Sequence, residues 1–411
     1  MERIEADLLI PGSGEPVKNG AVVIDGSRIA FAGPAEDAPK TPGAIVHRVP
    51  VVMPGLWDAH GHFFGIRTGD ILDVSRTPVE VMSARIVKDA ERVLRAGFTS
   101  VREAGGWGIH LARVVAEGTV PGPHIYAAGS ALSQTGGHGD FHSLPLEIIT
   151  ARLPSLRISY VCDGVPECLK AVRTQLRAGA KLIKVLASGG VMSELDHPVH
   201  QQFSDEEMRA IVAEATRADR IVAAHCHGKP GIVAALAAGC RTIEHGTYLD
   251  EEVAEMMLAR DAVLVPTRFI IERLVTHAKA AGVPEYAQAK VRAIEGQHRK
   301  ALSLAIRKGV RIALGTDIWM TGAEGMAPWG MNAHELVHLV EAGMRPLQAI
   351  EAATANGPGT LGPQAPSSGQ LREGFDADVI AVAKNPLADI RVLTAPENIV
   401  NVWKDGTLVK G

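Results

Sequence analysis

Five side chains of metal-ligating type follow or end short apolar runs that are typical of β-strands. A neutral imidazole nitrogen binds Zn²⁺-like ions, and a carboxylate can both hold a metal ion and accept a proton. If the fold brings these residues together, they predict a metal-dependent site that activates water. The five residues are His60, His62, His225, His245 and Asp317.

Lys184 is a sixth residue of unusual type, because it lies inside the apolar run Ile-Lys-Val-Leu. An ammonium group is a poor metal ligand, and a buried charge without a partner is costly. A neutral amine that takes up CO₂ becomes a carbamate, and a carbamate can bridge two cations. Lys184 therefore favours a carboxylated lysine that joins a pair of metal ions.

Residues 56–365 alternate short apolar runs with helical stretches. Strands that alternate with helices predict parallel βαβ units, and eight such units predict an α/β fold of the closed (β/α)8 TIM barrel type. A doubly wound sheet is the main rival, but no Gly-rich dinucleotide motif follows any run. The active site of a barrel lies at the carboxyl ends of its strands, where the six residues fall. The eight runs begin at Val51, Thr99, His124, Lys181, Ile221, Arg241, Ala262 and Arg311.

Residues 1–55 and 366–411 show a different pattern, with short β-type runs separated by Gly and Pro. Asp25-Gly26 and Asp405-Gly406 each lie between two such runs and predict hairpin turns. Neither end of the chain can bury a core alone. We therefore predict that both termini form one small β-sandwich domain, and that residues 56–365 form the catalytic domain.

Composition excludes several classes of partner. The 411 residues are 46% hydrophobic with a formal net charge of −4, which indicates neither a nucleic-acid nor a membrane partner. The acidic amino terminus is unlike a secretory signal, and no apolar run is long enough for a transmembrane helix. The four cysteines form no Cys-x-x-Cys pair and are expected to be reduced thiols. We expect a cytoplasmic homo-oligomer that acts on a small molecule, although a leader peptide already removed is compatible with this sequence.

Five short motifs together resemble those of the amidohydrolase superfamily, over nearly the whole chain. They are Met-Pro-Gly-Leu-Trp-Asp-Ala-His-Gly-His, Ile-Lys-Val, Ala-His-Cys-His-Gly, Ile-Glu-His-Gly and Leu-Gly-Thr-Asp. The resemblance implies that Lys184 is carboxylated and bridges two divalent ions, for which Zn²⁺ is the expected metal. By the same resemblance, one ion is held by His60, His62 and Asp317, and the other by His225 and His245.

The expected mechanism follows from the two metal charges. Two cations would lower the pKa of a bridging water toward neutrality and so supply hydroxide, while one ion polarises the scissile carbonyl. Asp317 would take up the proton and pass it to the leaving amine. The predicted activity is therefore hydrolysis of an amide bond.

Three Gly-rich segments after predicted strands narrow the resemblance. Gln-Thr-Gly-Gly-His-Gly-Asp, Val-Arg-Glu-Ala-Gly-Gly and Ser-Gly-Gly-Val-Met-Ser look like those of imidazolonepropionase-related proteins and Xaa-Pro dipeptidases. That branch implies amides that release an amino acid with a free carboxylate: N-acyl amino acids, C-terminal dipeptides or amides of the ochratoxin A type. The alternative is a cyclic-amide hydrolase or a deaminase on the same scaffold. Lys184 argues against the deaminases, which usually lack this lysine.

Further residues are predicted to contact the substrate. His138 and His227 lie just after strand ends and would hold a substrate carboxylate or the developing oxyanion during catalysis. Arg268 and Arg102 are additional candidates for binding the carboxylate. His225 is favoured over His227 as the metal ligand because it lies closer to the strand end, but the exchange of their roles stays open. Four side chains are predicted to line an apolar part of the pocket: Phe203, Phe269, Met326 and Trp329.

Overall fold

Strands from both ends of the chain form one sheet. The structure, a computed structural model, describes residues 1–411. Numbered along the chain, these strands are β1 (Glu2–Leu9), β2 (Val17–Asp25), β3 (Arg28–Pro34), β4 (Ile45–Pro54), β16 (Val379–Val382), β17 (Ile399–Lys404) and β18 (Thr407–Lys410). Their order in the sheet is β18-β17-β16-β4-β1-β2-β3. Only β1 and β4 pair in parallel, and every other pair is antiparallel.

Both predicted hairpin turns are confirmed, since Asp25 pairs with Arg28 and Lys404 pairs with Thr407. The predicted β-sandwich is instead one continuous seven-stranded sheet. The reason is that β16 pairs with β4 and so adds the carboxyl-terminal strands to the edge of the amino-terminal ones. The limits of the two predicted domains stay a prediction.

The two faces of this terminal sheet belong to different cores. One face buries its own cluster of apolar side chains, which includes Val22, Val52 and Trp403. Side chains on the other face, such as Met53 and Ile380, join the large core of the rest of the molecule. The alternation of side chains along each strand allows this division. The terminal sheet is therefore packed directly onto the part of the chain that carries the site.

The rest of the chain alternates parallel strands with helices, which confirms the predicted α/β class. The strands form two sheets, in the orders β14-β13-β12-β11-β10-β8-β9 and β15-β5-β6-β7. Segments 124–133 and 311–320 each contain two strands, one in each of the two sheets. The strands are β5 (Leu56–Ile66), β6 (Phe98–Glu103), β7 (His124–Ala127), β8 (Ala131–Ser133), β9 (Ser159–Val161), β10 (Ile183–Leu186), β11 (Val222–Cys226), β12 (Thr242–His245), β13 (Val263–Val265), β14 (Arg311–Ile312) and β15 (Ile318–Met320).

Helices follow most of the parallel strands. All four cysteines are free, as predicted, and all four are buried. No helix has the length and apolar character needed to cross a membrane. The helices are α1 (Asp73–Arg76), α2 (Val79–Arg95), α3 (Gly108–Ala116), α4 (Leu146–Arg152), α5 (Gly164–Ala178), α6 (Asp205–Thr216), α7 (Lys229–Ala238), α8 (Glu251–Ala259), α9 (Arg268–His277), α10 (Glu285–Lys308), α11 (His334–Glu341), α12 (Pro346–Ala352) and α13 (Asn356–Gly359).

His124, at the start of β7, connects the parallel strands to the terminal sheet. Its Nε2 lies 3.2 Å from Asp378 Oδ2 and 3.4 Å from Asp405 Oδ1. Burial alone would lower the pKa of His124, but the two carboxylates outweigh burial and raise the pKa to about 9. At neutral pH a protonated His124 therefore forms an ion cluster that holds the two parts of the molecule together.

Replacing His124 with Gln is expected to lower the free energy of unfolding by about 3 kcal/mol at pH 6. The folded pKa lies above the ordinary value of 6.5, so the contribution is complete below about pH 6.5 and is lost as the pH rises through about 9. Thermal unfolding of the two proteins at pH values from about 6 to 10 measures the difference. His277→Gln, at the exposed end of α9, is the control. A stability difference that does not change with pH would contradict the ion cluster.

Candidate metal centre and active site

The predicted metal and catalytic residues converge on one cavity of about 140 Å³. Parallel strands bring them together, because their carboxyl ends meet at one edge of a sheet. His60 lies in β5, Lys184 in β10 and His225 in β11, while Asp317 immediately precedes β15. The residues of this group that line the cavity are His60, His62, His138, Lys184, His225, His227, His245 and Asp317.

The donor atoms around Asp317 lie close enough to share a metal ion. Asp317 Oδ1 is 3.0 Å from His62 Nε2 and 3.5 Å from His60 Nε2. One donor atom from each of His60, His245 and Asp317 lies within 4.8 Å of the other two. Donors about 2.1 Å from a tetrahedral ion are about 3.4 Å apart. The spacing therefore fits a divalent cation.

A second group of donors contains His225, in β11, and His227, just after that strand. The donor atoms of His225, His227 and His245 lie within 4.8 Å of one another. His227 Nδ1 is 2.7 Å from Thr247 Oγ1, whereas His225 Nε2 is 3.2 Å from Gly189 O. Either ring has a nitrogen that can bind an ion here. The choice between His225 and His227 as the ligand stays a prediction.

Hydrogen bonds on the second ring nitrogen orient the other histidines of the predicted ligand set. Contacts of this kind fix both the ring plane and the tautomer, and they leave Nε2 available for a metal ion. Nδ1 of His60 is 2.7 Å from Glu244 Oε2, Nδ1 of His62 is 2.8 Å from Gly105 O, and Nδ1 of His245 is 2.7 Å from Thr267 Oγ1.

Burial keeps the imidazoles neutral, which is the form that binds a metal ion. It lowers the pKa of His60 to about 4 and that of His227 to about 3. It also holds the pKa values of His225 and His245 well below their usual range. Burial would raise the pKa of Asp317, but His60, His62 and Lys184 together outweigh burial and the pKa falls. Neutral nitrogens and an ionised carboxylate together form a donor set that suits Zn²⁺.

Lys184 carries the unsatisfied polar atom of the centre. The residue is 2% exposed, and its Nζ has no hydrogen-bond partner. Burial lowers the pKa of Lys184 to about 8, against the opposing effect of Glu244 and Asp317. An amine with such a pKa is partly neutral at physiological pH and can take up CO₂. The residues present therefore fit the carbamate and the metal pair that the sequence resemblance implies.

Arg102 was wrongly predicted as a substrate contact, because it is fully buried and does not line the cavity. Its guanidinium donates to both carboxylate oxygens of Glu244 at 2.7 Å and to Ala59 O at 2.5 Å. Glu244 in turn accepts from the Nδ1 of His60. The charge of Arg102 is therefore satisfied inside the fold, where it holds the carboxylate that orients a predicted ligand.

Arg268 was also wrongly predicted as a substrate contact. It begins α9, its side chain is only 7% exposed, and its guanidinium pairs with Glu295 of α10. Ile270 and Ile271, two and three residues further along α9, line the cavity in its place. The helix start turns the arginine toward α10, and that pairing leaves no free charge for a carboxylate.

Two buried acids that position the site, Glu244 and Asp58, were not predicted. Asp58 Oδ1 accepts from the backbone nitrogens of His60 and Thr316 at 3.0 and 3.1 Å. Its Oδ2 accepts from Thr316 Oγ1 at 2.5 Å and Asn332 Nδ2 at 2.6 Å. Asp58 thus connects β5 to the segment that carries Asp317. Each acid lies within two residues of a predicted ligand in sequence, and that proximity is the signal that identifies them.

Two predicted ligands have a left-handed backbone, with φ values of 67° at His245 and 59° at Asp317. This conformation is uncommon outside glycine and costs about 1–3 kcal/mol when the surroundings must enforce it. At Asp317 it directs the backbone nitrogen to within 2.6 Å of His60 O. The strained turns therefore lie at the residues that complete the centre.

The side chains predicted to form an apolar part of the pocket lie elsewhere. None of the four lines the cavity, and all are buried in the core. Trp329, for example, stacks on Phe63 with the ring centroids 4.2 Å apart. The four side chains are Phe203, Phe269, Met326 and Trp329.

Other apolar side chains surround the polar centre instead. They come from β5, β10 and β15, from the loops after β5, β8 and β10, and from helix α9, so no single sequence segment marks them. Apart from Lys184, no lysine or arginine lines the cavity. The site therefore combines a group of possible metal ligands with an apolar wall made by Phe64, Ile71, Phe141, Ile158, Leu186, Val191, Met192, Ile270, Ile271, Leu274 and Trp319.

Comparison with known sequences identifies the family. The Amidohydrolase family pattern matches residues 51–409, which is most of the chain and includes every predicted ligand. The chain belongs to the amidohydrolase family. It is accordingly a hydrolase that acts on amide bonds, which confirms the resemblance drawn from the motifs.

Several relatives of this amidohydrolase match it over almost its full length. Ochratoxinase of Aspergillus niger is 47% identical over 423 residues, covering 99% of this chain and 86% of the relative. The crystal structure of A. niger ochratoxinase matches with a TM-score of 0.90 at 45% identity, covering 100% of this chain and 95% of the other. A prolidase complexed with N-methylphosphonate-L-proline has a TM-score of 0.92 at 33% identity, with coverage of 100% and 99%. A Xaa-Pro dipeptidase with methionine bound in its active site has a TM-score of 0.88 at 31% identity, with 100% coverage of both chains.

Replacing Glu244 with Gln is expected to lower the affinity of the centre for divalent ions by about 10- to 100-fold. The amide cannot accept from both Arg102 and His60 as the carboxylate does, so the ring of His60 loses its orientation. Metal retained after dialysis against graded chelator, measured by mass spectrometry, tests this.

The matched control is Glu335→Gln. Glu335 is a fully buried carboxylate that accepts from the backbone nitrogens of Arg268 and Phe269 and contacts no predicted ligand. Equal metal retention in the two variants would contradict the role given to Glu244.

Proposed function

We propose that this amidohydrolase is a binuclear metal-dependent enzyme that cleaves the amide bond of N-acyl amino acids or C-terminal dipeptides, with amides of the ochratoxin A type among its substrates. The observation that carries the proposal is the amine of Lys184, buried without a partner in a cavity lined by histidines and Asp317. A site for one ion alone has no need of this lysine.

The proposal includes the closure of the parallel strands into one eight-stranded barrel. Segment 124–133 lies in both sheets, because β7 pairs with β6 and β8 pairs with β10. Segment 311–320 does the same, because β14 pairs with β13 and β15 pairs with β5. Each segment would then be one barrel strand with an interruption. The cavity would lie at the carboxyl end of such a barrel, as expected of an enzyme with this architecture.

In this account the histidines, Asp317 and a carboxylated Lys184 hold two divalent ions, with Zn²⁺ the expected metal. When bound, the ions would lower the pKa of water and polarise the scissile carbonyl. The protein itself contributes the fixed orientation of the rings, the neutral state of the imidazoles and a cavity wall that excludes water. All three features are set before the substrate arrives, which is how an enzyme stabilises developing charge most effectively.

Asp317 is the residue proposed to move the proton. Its side chain is 20% exposed, lines the cavity and lies 3.0 Å from His62 Nε2. Its pKa falls below the ordinary value because the effect of neighbouring histidines exceeds that of burial. An ionised carboxylate in this position can take a proton from water and give it to the leaving amine.

The substrate class rests on the cavity wall and on the relatives. Side chains such as Phe141, Met192 and Trp319 favour a large apolar group on the acyl or the amine side of the amide. Ochratoxinase, prolidase and Xaa-Pro dipeptidase are the names of proteins that match this chain over its whole length. Together they support an amide whose leaving group is an amino acid.

Replacing Asp317 with Asn is expected to lower turnover by at least about 100-fold, because the amide cannot carry the proton. The variant should keep much of its metal, since the histidines remain. Release of free amino acid from a panel of N-acyl amino acids and Xaa-Pro dipeptides measures turnover, and metal analysis accompanies it.

Asp219→Asn is the matched control, because Asp219 also has a left-handed backbone, with φ 55°, but is exposed and does not line the cavity. Near wild-type turnover in Asp317→Asn would exclude the proton role. No amino acid released from any member of the panel by the metal-loaded wild type would exclude the substrate class.

A further inference from the structure

A chain of hydrogen bonds behind His138 lies outside the predicted metal set. His138 Nδ1 is 2.7 Å from Ser193 Oγ, and Ser193 Oγ in turn bonds to Asp196 Oδ1. The side chain of Asp196 is only 5% exposed. The chain thus connects the loop after β10 with an imidazole that lines the cavity.

Four donors surround the carboxylate of Asp196. Lys290 Nζ lies 3.2 Å from Oδ1, while Gly190 N and Gln202 Nε2 lie 3.1 and 3.0 Å from Oδ2. Ser193 Oγ is the fourth. Burial would raise the pKa of Asp196, but His138, Ser193 and Lys290 outweigh it and lower the pKa. An ionised carboxylate can only accept hydrogen bonds, so the hydrogen of Ser193 must point toward Asp196.

This direction decides the tautomer of His138. A serine hydroxyl has a single hydrogen, and here Asp196 receives it. Ser193 Oγ can therefore only accept from the ring of His138, so Nδ1 must carry the hydrogen. The ring stacks on that of His225 with the centroids 4.5 Å apart, and burial disfavours the positive charge of an imidazolium by lowering the pKa of His138. The neutral ring then has a bare Nε2.

The ring of His138 is also held in place. A Cβ on Gly190 would lie 2.1 Å from its Cε1 and 2.5 Å from its Nε2, so only glycine leaves room for the ring. Lys290, from α10, donates to the backbone oxygens of Ser193 at 2.7 Å and Asp196 at 2.5 Å. The loop and the ring are therefore fixed as one unit.

We propose that Ser193 and Asp196 are positioning residues that hold His138 in the Nδ1–H tautomer, so that its Nε2 accepts a hydrogen bond from the N–H of the scissile amide. This inference rests on the proposed amide hydrolysis and narrows its substrate class. Secondary amides of amino acids carry that N–H, whereas the tertiary amide of a Xaa-Pro substrate does not. A bare Nε2 cannot donate, so His138 does not grip a substrate carboxylate as the sequence suggested.

The test compares two substrates that differ by one methyl group, an N-acyl-L-phenylalanine and its N-methyl derivative. In Ser193→Ala, kcat/KM for the N–H substrate is expected to fall about tenfold, while that for the N-methyl substrate changes by less than about twofold. Asp196→Asn should behave like Ser193→Ala, and Ser193→Thr, which keeps the hydroxyl, should behave like the wild type. Glu194→Gln removes an exposed carboxylate from the same loop and is the control. All variants should keep the metal content of the wild type.

Equal losses on both substrates would show a general structural role and overturn the proposal, and so would loss of metal in Ser193→Ala. A second readout does not depend on turnover. Nitrogen-15 NMR of histidine-labelled protein, with the His138 signals assigned through His138→Gln, should show the hydrogen on Nδ1. A hydrogen on Nε2 would overturn the proposal. If neither substrate is cleaved, the proposed function fails, while the NMR result still decides the tautomer.

Discussion

The amine of Lys184 is buried among imidazoles and carboxylates without a single hydrogen-bond partner. A group of this kind costs several kcal/mol when it is charged and unpaired. The surrounding side chains are arranged as though an anion on the lysine and cations beside it were present. The histidines are neutral and oriented for ligation, and Asp317 is ionised. The proposed carbamate with two divalent ions would satisfy all of these groups at once, and the integrity of the site would then depend on CO₂ and metal.

Charges deeper in the fold support the same centre. Arg102 and Glu244 form a fully buried ion pair, and the carboxylate of Glu244 also bonds to His60. Glu244 therefore orients the predicted ligand His60, while Arg102 compensates the negative charge of Glu244. Asp58 links β5 to the segment before β15 through four hydrogen bonds. On the cavity side, the loop held by Lys290 fixes His138. The predicted metal ligands and the substrate side of the site are therefore positioned by separate buried networks. Both networks are formed in the absence of substrate.

That the predicted ligands would lie near one another could be inferred from the sequence, because most of them share one property, their place at the ends of apolar strands. The paired histidines at positions 60 and 62, and the lysine inside an apolar run, required no knowledge of long-range contacts. Arg102 could not be assigned in this way, since its strand is buried on both faces and only the position of Glu244 shows where its charge is satisfied. The terminal sheet was predicted as a sandwich because the pairing of β16 with β4 joins residues more than three hundred positions apart. The apolar side chains of the cavity come from several strands and loops and from α9. No periodic pattern in the sequence identifies residues that are scattered in this way.

The central claim is that Lys184 carries a carbamate in the metal-loaded protein. Carbon-13 NMR of protein loaded with metal in the presence of ¹³C-bicarbonate tests it most directly. The account predicts a protein-bound carbamate signal in the wild type and its absence in a folded Lys184→Met variant, which should also bind less metal. A fully active, metal-loaded wild type without that signal would contradict the account.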